Sequence, residues 1–233
     1  MQAVLDLPQT ISTVDFAAFN RKSIFFALAE RRRTVFFDVS WETYQNLLKM
    51  SFERRNPKLY YDQGILEIIP LPEHEFPIRL LDSLFSAVAD EAEIDYVNFG
   101  SSTFDRYDFE KGFEPDSSYY LNENAETMRG KNKFDLTNNP PPDLVFEVDI
   151  TSTSIDKLSI YAQFGIKEVW IFESNELRFL HLVENKYIEQ IGSLALPNLT
   201  SKTATEFIEE SRNLKRPEWN RKVKSWAKQN LSK

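Results

Sequence analysis

The chain contains no cysteine. That excludes a disulfide framework, a thiolate zinc site and a cysteine nucleophile, and it is compatible with a reducing compartment. Histidine is scarce as well, since His74 and His181 are the two in the sequence. With no Gly-x-Ser-x-Gly and no His-Glu-x-x-His, a hydrolase triad or a histidine-held zinc has few candidates. No apolar run approaches the roughly 20 residues of a membrane span. The longest early run, 24–29, sits between charged residues and is too short for a secretory leader. The chain therefore reads as soluble and cytoplasmic, with no repeat and no low-complexity tract.

What is present suits an ordinary domain with appendages: 233 residues, 42% of them hydrophobic. Residues 1–33 show no single period and read as an N-terminal extension. Residues 34–200 carry the main domain, and 201–233 form a helical tail. The formal net charge of −8 argues against a general nucleic-acid coat. It leaves room for a local basic cleft, because acidic metal ligands raise the negative count themselves. Phenylalanine, at 19 residues, reads first as core.

The stretch 142–157, PDLVFEVDITSTSIDK, organises the rest. Its first half alternates: Leu144, Phe146, Val148 and Ile150 share one side of a strand, and Asp143, Val145, Glu147 and Asp149 share the other. The second half changes to helical period. Ser154 is the expected cap, Ile155, Leu158, Tyr161 and Phe164 form the stripe, and Gly165 is the expected stop. Strand, short loop and helix thus deliver acids from the strand and Lys157 from the first helical turn.

Around this core the sequence predicts a helix from Trp41 to about Met50, capped by Ser40, with Trp41, Tyr44, Leu47 and Leu48 inward. LYYDQGILEII predicts a hairpin turning at Asp62, Gln63 and Gly64. Its Glu67 stands between two isoleucines, which calls for a partner or a metal unless an edge strand lets it reach water. After His74 comes a helix with Phe76, Leu80, Leu84, Phe85 and Val88 inward. Strands are predicted at 94–99, 117–121, 168–172, 177–183 and 187–190, and 122–141 reads as a polar surface excursion. The tail carries Trp219, Val223, Trp226 and Leu231 on one side with lysines and Arg221 around them. It either lies on DNA or covers the domain with a solvated charged face.

Asp116, Glu147 and Lys157 form the sharpest chemical constellation. Two carboxylates from neighbouring strands can hold a hard divalent cation, and a nearby lysine can orient a water or offset phosphate charge. Composition alone does not select these residues, since acids and lysines are common on surfaces. Two prolyl-aspartates compete for the first acid. Asp143 shares a strand with Glu147, four residues away, so the two are about 13 Å apart. Asp116, on a separate strand, can lie opposite Glu147, which favours it.

The pieces SWETYQNLL, YYDQGILEIIPLPEHE, EPDSSYYL, PPDLVFEVDITSTSIDKLSIYAQFG and EVW, in that order, resemble the Uma-type family of bacterial restriction endonucleases. That family lies within the PD-(D/E)xK nuclease superfamily. The resemblance implies an α/β (α+β) fold of restriction-endonuclease-like type, a central mixed sheet flanked by helices. It implies a metal-dependent DNA endonuclease using Mg²⁺ or Mn²⁺, with Asp116 and Glu147 as metal-binding acids and Glu67 as an early glutamate directed at the same metal. Where the superfamily places a lysine, two residues after the glutamate, Asp149 stands here. The resemblance hands that role to Lys157 and leaves Asp149 to assist the metal or pair with Lys157. His74 matches a family histidine after the hairpin. A homodimer would suit cutting of both strands. The alternative is a catalytically inactive nuclease-fold module that binds nucleic acid or a protein partner.

Overall fold

Alternation, helical stripes and turn residues divide the chain much as expected. The structure is a computed structural model that describes residues 12–14, 34–51, 58–69, 75–131, 134–148 and 156–231. In chain order the described elements open with β1 (Ser12–Val14), β2 (Thr34–Phe36), α1 (Trp41–Ser51), β3 (Lys58–Asp62), β4 (Ile65–Ile69) and α2 (Glu75–Glu91). Next come β5 (Tyr96–Asn98), β6 (Phe104–Arg106), β7 (Lys111–Phe113), β8 (Ser117–Leu121), α3 (Glu123–Met128) and β9 (Leu144–Val148). The chain continues through α4 (Lys157–Phe164), β10 (Glu168–Glu173), β11 (Glu176–Val183), β12 (Lys186–Gln190), α5 (Ser201–Glu210) and α6 (Arg216–Leu231). Among the described residues no helix is long and apolar enough to cross a membrane.

The described residues fall into two compact units. The first draws on Met1–Glu73, Phe104–Glu114 and Ser152–Asp156. Its sheet runs β1-β2-β4-β3-β7-β6, with β1 parallel to β2 and the other pairs antiparallel. The β3–β4 hairpin closes on Gln63 and Gly64, both at positive φ (44° and 96°), as a two-residue type I′ turn requires. Ser40 caps α1 as expected, its hydroxyl accepting the Thr43 N–H at 3.2 Å. The inward face of α1 places Tyr44, Leu47 and Leu48 in a core with Phe36, Leu59, Tyr61, Leu66 and Ile68, and Trp41 packs against it. Tyr44 and Tyr61 stack with ring centroids 4.8 Å apart.

The sequence reading predicted no strand at β6 or β7. Each has three residues, too few for an alternation signal to be read. Gly112 in β7 explains itself by packing: a Cβ there would stand 2.1 Å from the Tyr44 hydroxyl and 2.8 Å from its ring carbon Cζ.

The second unit draws on His74–Thr103, Pro115–Thr151 and Lys157–Lys233. Its mixed sheet runs β12-β11-β10-β9-β8-β5, with β9 parallel to β10 and every other pair antiparallel. A parallel neighbour needs a crossover, and α4 supplies it. Strand β9 is therefore interior and covered on both faces, which is why all five of its residues are buried. On one face Leu144, Phe146 and Val148 join α2, α5 and α6 in the main core. Phe146 stacks on Trp170 at 4.8 Å, and Phe85 of α2 sits 4.2 Å from Tyr119 of β8. Helix α4 lies over the opposite face. The result is the expected mixed sheet with helices on its faces.

Two segments differ from the sequence reading. The excursion 122–141 contains α3, whose Ala125 and Met128 are fully buried. The tail is two helices rather than one, because Pro217 is tolerated only in a first helical turn. The covering role holds for it: Trp219, Val223 and Ala227 of α6 enter the core, and the Trp219 indole donates to the Phe207 carbonyl at 2.6 Å. Its lysines pair outward, Lys224 with Glu91 at 3.5 Å and Lys228 with Glu91 at 3.5 Å.

The Gly112 contact yields a stability test. Gly112→Ala forces a methyl into the buried Tyr44 ring and is expected to cost about 1–3 kcal/mol. Urea unfolding would measure it, and an unchanged midpoint would show that the ring is free to retreat.

Candidate active site

Strand β9 brings Glu147 to the face opposite the main core. Its side chain is completely buried, with 0% exposure. A lone carboxylate there would be strongly disfavoured, and α4 answers it. Lys157, the first residue of α4 and itself only 5% exposed, donates from Nζ to Glu147 Oε2 at 2.8 Å. Tyr161, one turn later on the same helix face, donates its hydroxyl to Glu147 Oε1. Both carboxylate oxygens thus accept a hydrogen bond from one helix.

The end of α4 fixes how the chain returns to the sheet. Gly165 adopts φ +78°, its N–H reaches the Ala162 carbonyl at 3.0 Å, and the Ile166 N–H reaches the Tyr161 carbonyl at 3.1 Å. This paired closure needs a left-handed residue, hence glycine. It also anchors the turn that holds Tyr161.

Asp116 approaches from the start of β8. Ser117 pairs with Phe146, yet the Asp116 N–H also donates to the Phe146 carbonyl, at 3.1 Å. Two consecutive residues thus address one partner, as in a β-bulge, a device that re-aims a side chain. The Asp116 carboxylate then accepts the Val148 N–H through Oδ2 at 2.7 Å. Backbone and side chain of Asp116 therefore grip β9 on both sides of Glu147. Of these residues Asp116 alone is part-exposed.

Within the second unit the structure joins Lys157 to Glu147 and holds Asp116 to the backbone of the same strand at Phe146 and Val148. Asp143, the competing acid, is pinned elsewhere at the start of β9. It accepts the Leu121 N–H at 2.9 Å, Asn124 Nδ2 at 2.9 Å and Lys167 Nζ at 2.9 Å. Glu67 belongs to the first unit. It lies on β4 opposite Val35 and Tyr60 with 0% exposure. Because β4 runs between β2 and β3, the edge-strand reading of Glu67 is overturned. His74 and Asp149 lie outside the described residues, as do Ser154 and Ile155. Sequence reasoning had placed Tyr161 in the apolar stripe. Its position four residues after Lys157 was the signal that it shares the lysine's target.

The donor set suits a small hard cation. Carboxylate oxygens are its preferred protein ligands, and Mg²⁺ commonly takes one or two of them and fills its shell with water. Among the described residues no group of three or more histidine, cysteine or acidic side chains is clustered for a metal. Asp116 and Glu147 are the two acids of this site that could hold such an ion.

Comparison with known proteins finds a matching family model over most of the chain. A family model, Uma2, described as "Putative restriction endonuclease", matches residues 41–209, a span that includes Asp116, Glu147 and Lys157. Among solved structures, the chain is similar to "a putative nuclease belonging to DUF820" from Anabaena variabilis ATCC 29413. The two are 12% identical, the match covers 72% of this chain and 98% of the other, and the TM-score is 0.49. No curated protein matches.

The buried pair makes its own prediction. Lys157→Met leaves the Glu147 carboxylate buried without its cation and is expected to cost about 3–5 kcal/mol. Adding Glu147→Gln removes the stranded charge and is expected to restore a large part of that loss. Denaturant unfolding of the two single variants and the double variant measures the coupling. Simple additivity would mean that the pair contributes nothing as a pair.

Proposed function

This chain belongs to the Uma2 family of restriction-endonuclease type, and from that premise we propose that it is a Mg²⁺-dependent endonuclease hydrolysing phosphodiester bonds in DNA. The observation that carries the proposal is the buried Glu147–Lys157 contact at 2.8 Å beside an aspartate that grips the same strand. Asp116 and Glu147 would hold the metal through carboxylate oxygens, and Mn²⁺ would be an acceptable substitute. When bound, the ion supplies Lewis-acid polarisation of the phosphate and stabilisation of the leaving oxygen.

The protein groups do the rest. Glu147 keeps its orientation because Lys157 and Tyr161 hold one oxygen each. Lys157 presents its ammonium beside that carboxylate, where it can orient the attacking water and offset charge developing on the phosphate. It takes the place of the lysine that the superfamily pattern sets two residues after the glutamate, where this chain has Asp149. Asp116, being part-exposed, is the acid that substrate and solvent can approach.

A second reading keeps the fold and drops the chemistry. The engagement of both Glu147 oxygens by α4 is also what a purely structural ion pair would show. That reading makes the protein a nucleic-acid-binding module and expects DNA affinity indifferent to Mg²⁺ and to Lys157→Ala.

Nicking of supercoiled plasmid separates the two. The wild-type protein is expected to nick with Mg²⁺ or Mn²⁺ and to stop on chelation. Asp116→Asn, Glu147→Gln and Lys157→Ala are each expected to slow nicking by about 100-fold or more. A folded wild-type protein that binds no divalent ion and cuts nothing would sink the enzymatic reading.

A further inference from the structure

Helix α2 carries a carboxylate in the middle of its sheet-facing side, and that acid has work to do at β8. Asp82 Oδ1 accepts the Ser117 hydroxyl at 2.8 Å, the Tyr119 hydroxyl at 2.5 Å and Asn98 Nδ2 at 3.3 Å. Ser117 and Tyr119 are both fully buried. They are two apart on β8, so both point to the α2 side of the sheet. Asn98, on the neighbouring strand β5, completes the ring: its Oδ1 lies 3.3 Å from Ser117 Oγ and accepts the Gly100 N–H at 2.5 Å. Three donors from two strands thus converge on one oxygen of one helical side chain.

Such a convergence has a local reason to exist. Buried hydroxyls left without acceptors are costly, and a single aspartate satisfies two of them. Ser117, however, is also the residue paired with Phe146, whose carbonyl accepts the Asp116 N–H. Holding Ser117 from below holds the bulge, and the bulge determines where the Asp116 carboxylate meets the Val148 N–H at 2.7 Å. We infer that Asp82 is a positioning residue for Asp116, acting through Ser117 to fix the bulge that aims the first metal-binding acid. The inference rests on the nuclease reading for its consequence in catalysis, but its structural content stands apart from that reading.

The chain of contact runs Asp82 carboxylate, Ser117 hydroxyl, Ser117 backbone, Asp116 carboxylate, Val148 amide. Each link lies within the second unit, so the effect needs nothing from the first. Tyr119 shares the Asp82 oxygen but sits two residues further from the bulge. Losing its hydroxyl should weaken the fold without turning Asp116. That difference separates a positioning role from general support of the sheet.

The experiment follows the Val148 amide by hydrogen exchange in full-length Asp82→Ala, Ser117→Ala and Tyr119→Phe, with the Trp170 amide of β10 as the internal reference. Asp82→Ala and Ser117→Ala are expected to speed Val148 exchange about tenfold relative to Trp170, and Tyr119→Phe to leave the ratio within about twofold. Mn²⁺ binding, read from the EPR signal of the free ion, should weaken by about tenfold in the first two variants and hold in the third. Asp82→Asn keeps an oxygen acceptor and is expected to recover most of both effects, and it serves in place of Asp82→Ala should that variant not fold. An unchanged Val148 ratio in Ser117→Ala, or an equal change in Tyr119→Phe, overturns the inference. A wild-type protein that neither binds Mn²⁺ nor cleaves DNA defeats the nuclease reading instead, while the Val148 ratio still decides whether Asp82 aims Asp116.

Discussion

A fully buried carboxylate on an interior strand governs the architecture of the second unit. Glu147 has 0% exposure, and taking an ionised group out of water is disfavoured by several kcal/mol even after relaxation. The strand cannot exist with that residue unless a cation and a donor arrive on its face. They arrive together, because Lys157 and Tyr161 are one turn apart on the helix that follows. The same helix is the crossover that makes β10 parallel to β9. One segment therefore satisfies the acid, covers the second face of the sheet and sets its topology. Had the next segment been a hairpin, β10 would be antiparallel and Glu147 would lack its partners.

This coupling explains why the stretch 142–157 was so readable. Strict alternation in 143–148 and the helical spacing of Tyr161 and Phe164 are separate signals, and both answer the same burial problem. The β3–β4 turn, the Ser40 cap and the Gly165 stop were equally legible, because each depends on a backbone conformation or hydrogen bond that few residue types supply. The inward Leu80, Leu84, Phe85 and Val88 of α2 followed from simple periodicity, while the side chain of Phe76 lies outside the described residues. Where the signal was too short or contradicted by polarity, the reading failed. β6 and β7 have three residues each, and α3 has six, buried through Ala125 and Met128 in a stretch otherwise rich in asparagine and acid. Tertiary packing, not local preference, makes them.

The site was legible in part for the same reason. Spacing along one strand weighed against Asp143 as a partner for Glu147, and the structure gives Asp143 a different occupation, tying α3, β8 and Lys167 to the start of β9. The residue that sequence reasoning undervalued was Tyr161. A tyrosine in an apolar stripe looks like core, and this one is core by burial, with 0% exposure. Its hydroxyl nevertheless ends on a charged oxygen. Periodicity reports which way a side chain points and is silent about what its last atom does. Asp82 escaped notice for the matching reason: an acid within a helix reads as surface until the sheet beneath is seen to offer it hydroxyls.

The arrangement also bears on whether the ion pair is only structural. A pair that merely neutralised Glu147 would be complete with Lys157 and Tyr161 and would need no second acid nearby. Anchoring Asp116 to the β9 backbone at Phe146 and Val148 sets a second acid against the strand that carries Glu147, and like charges brought together are unfavourable unless opposed. Part of the opposition comes from the Val148 N–H on Asp116 at 2.7 Å and from the Lys157 ammonium on Glu147 at 2.8 Å. The Asp116 contact with the Phe146 carbonyl falls at the end of the β8–β9 ladder, beyond the pairs of Ser117 with Phe146, Ser118 with Val145 and Tyr119 with Leu144. Under the proposed function, a divalent cation held by both acids would convert the repulsion between them into shared attraction.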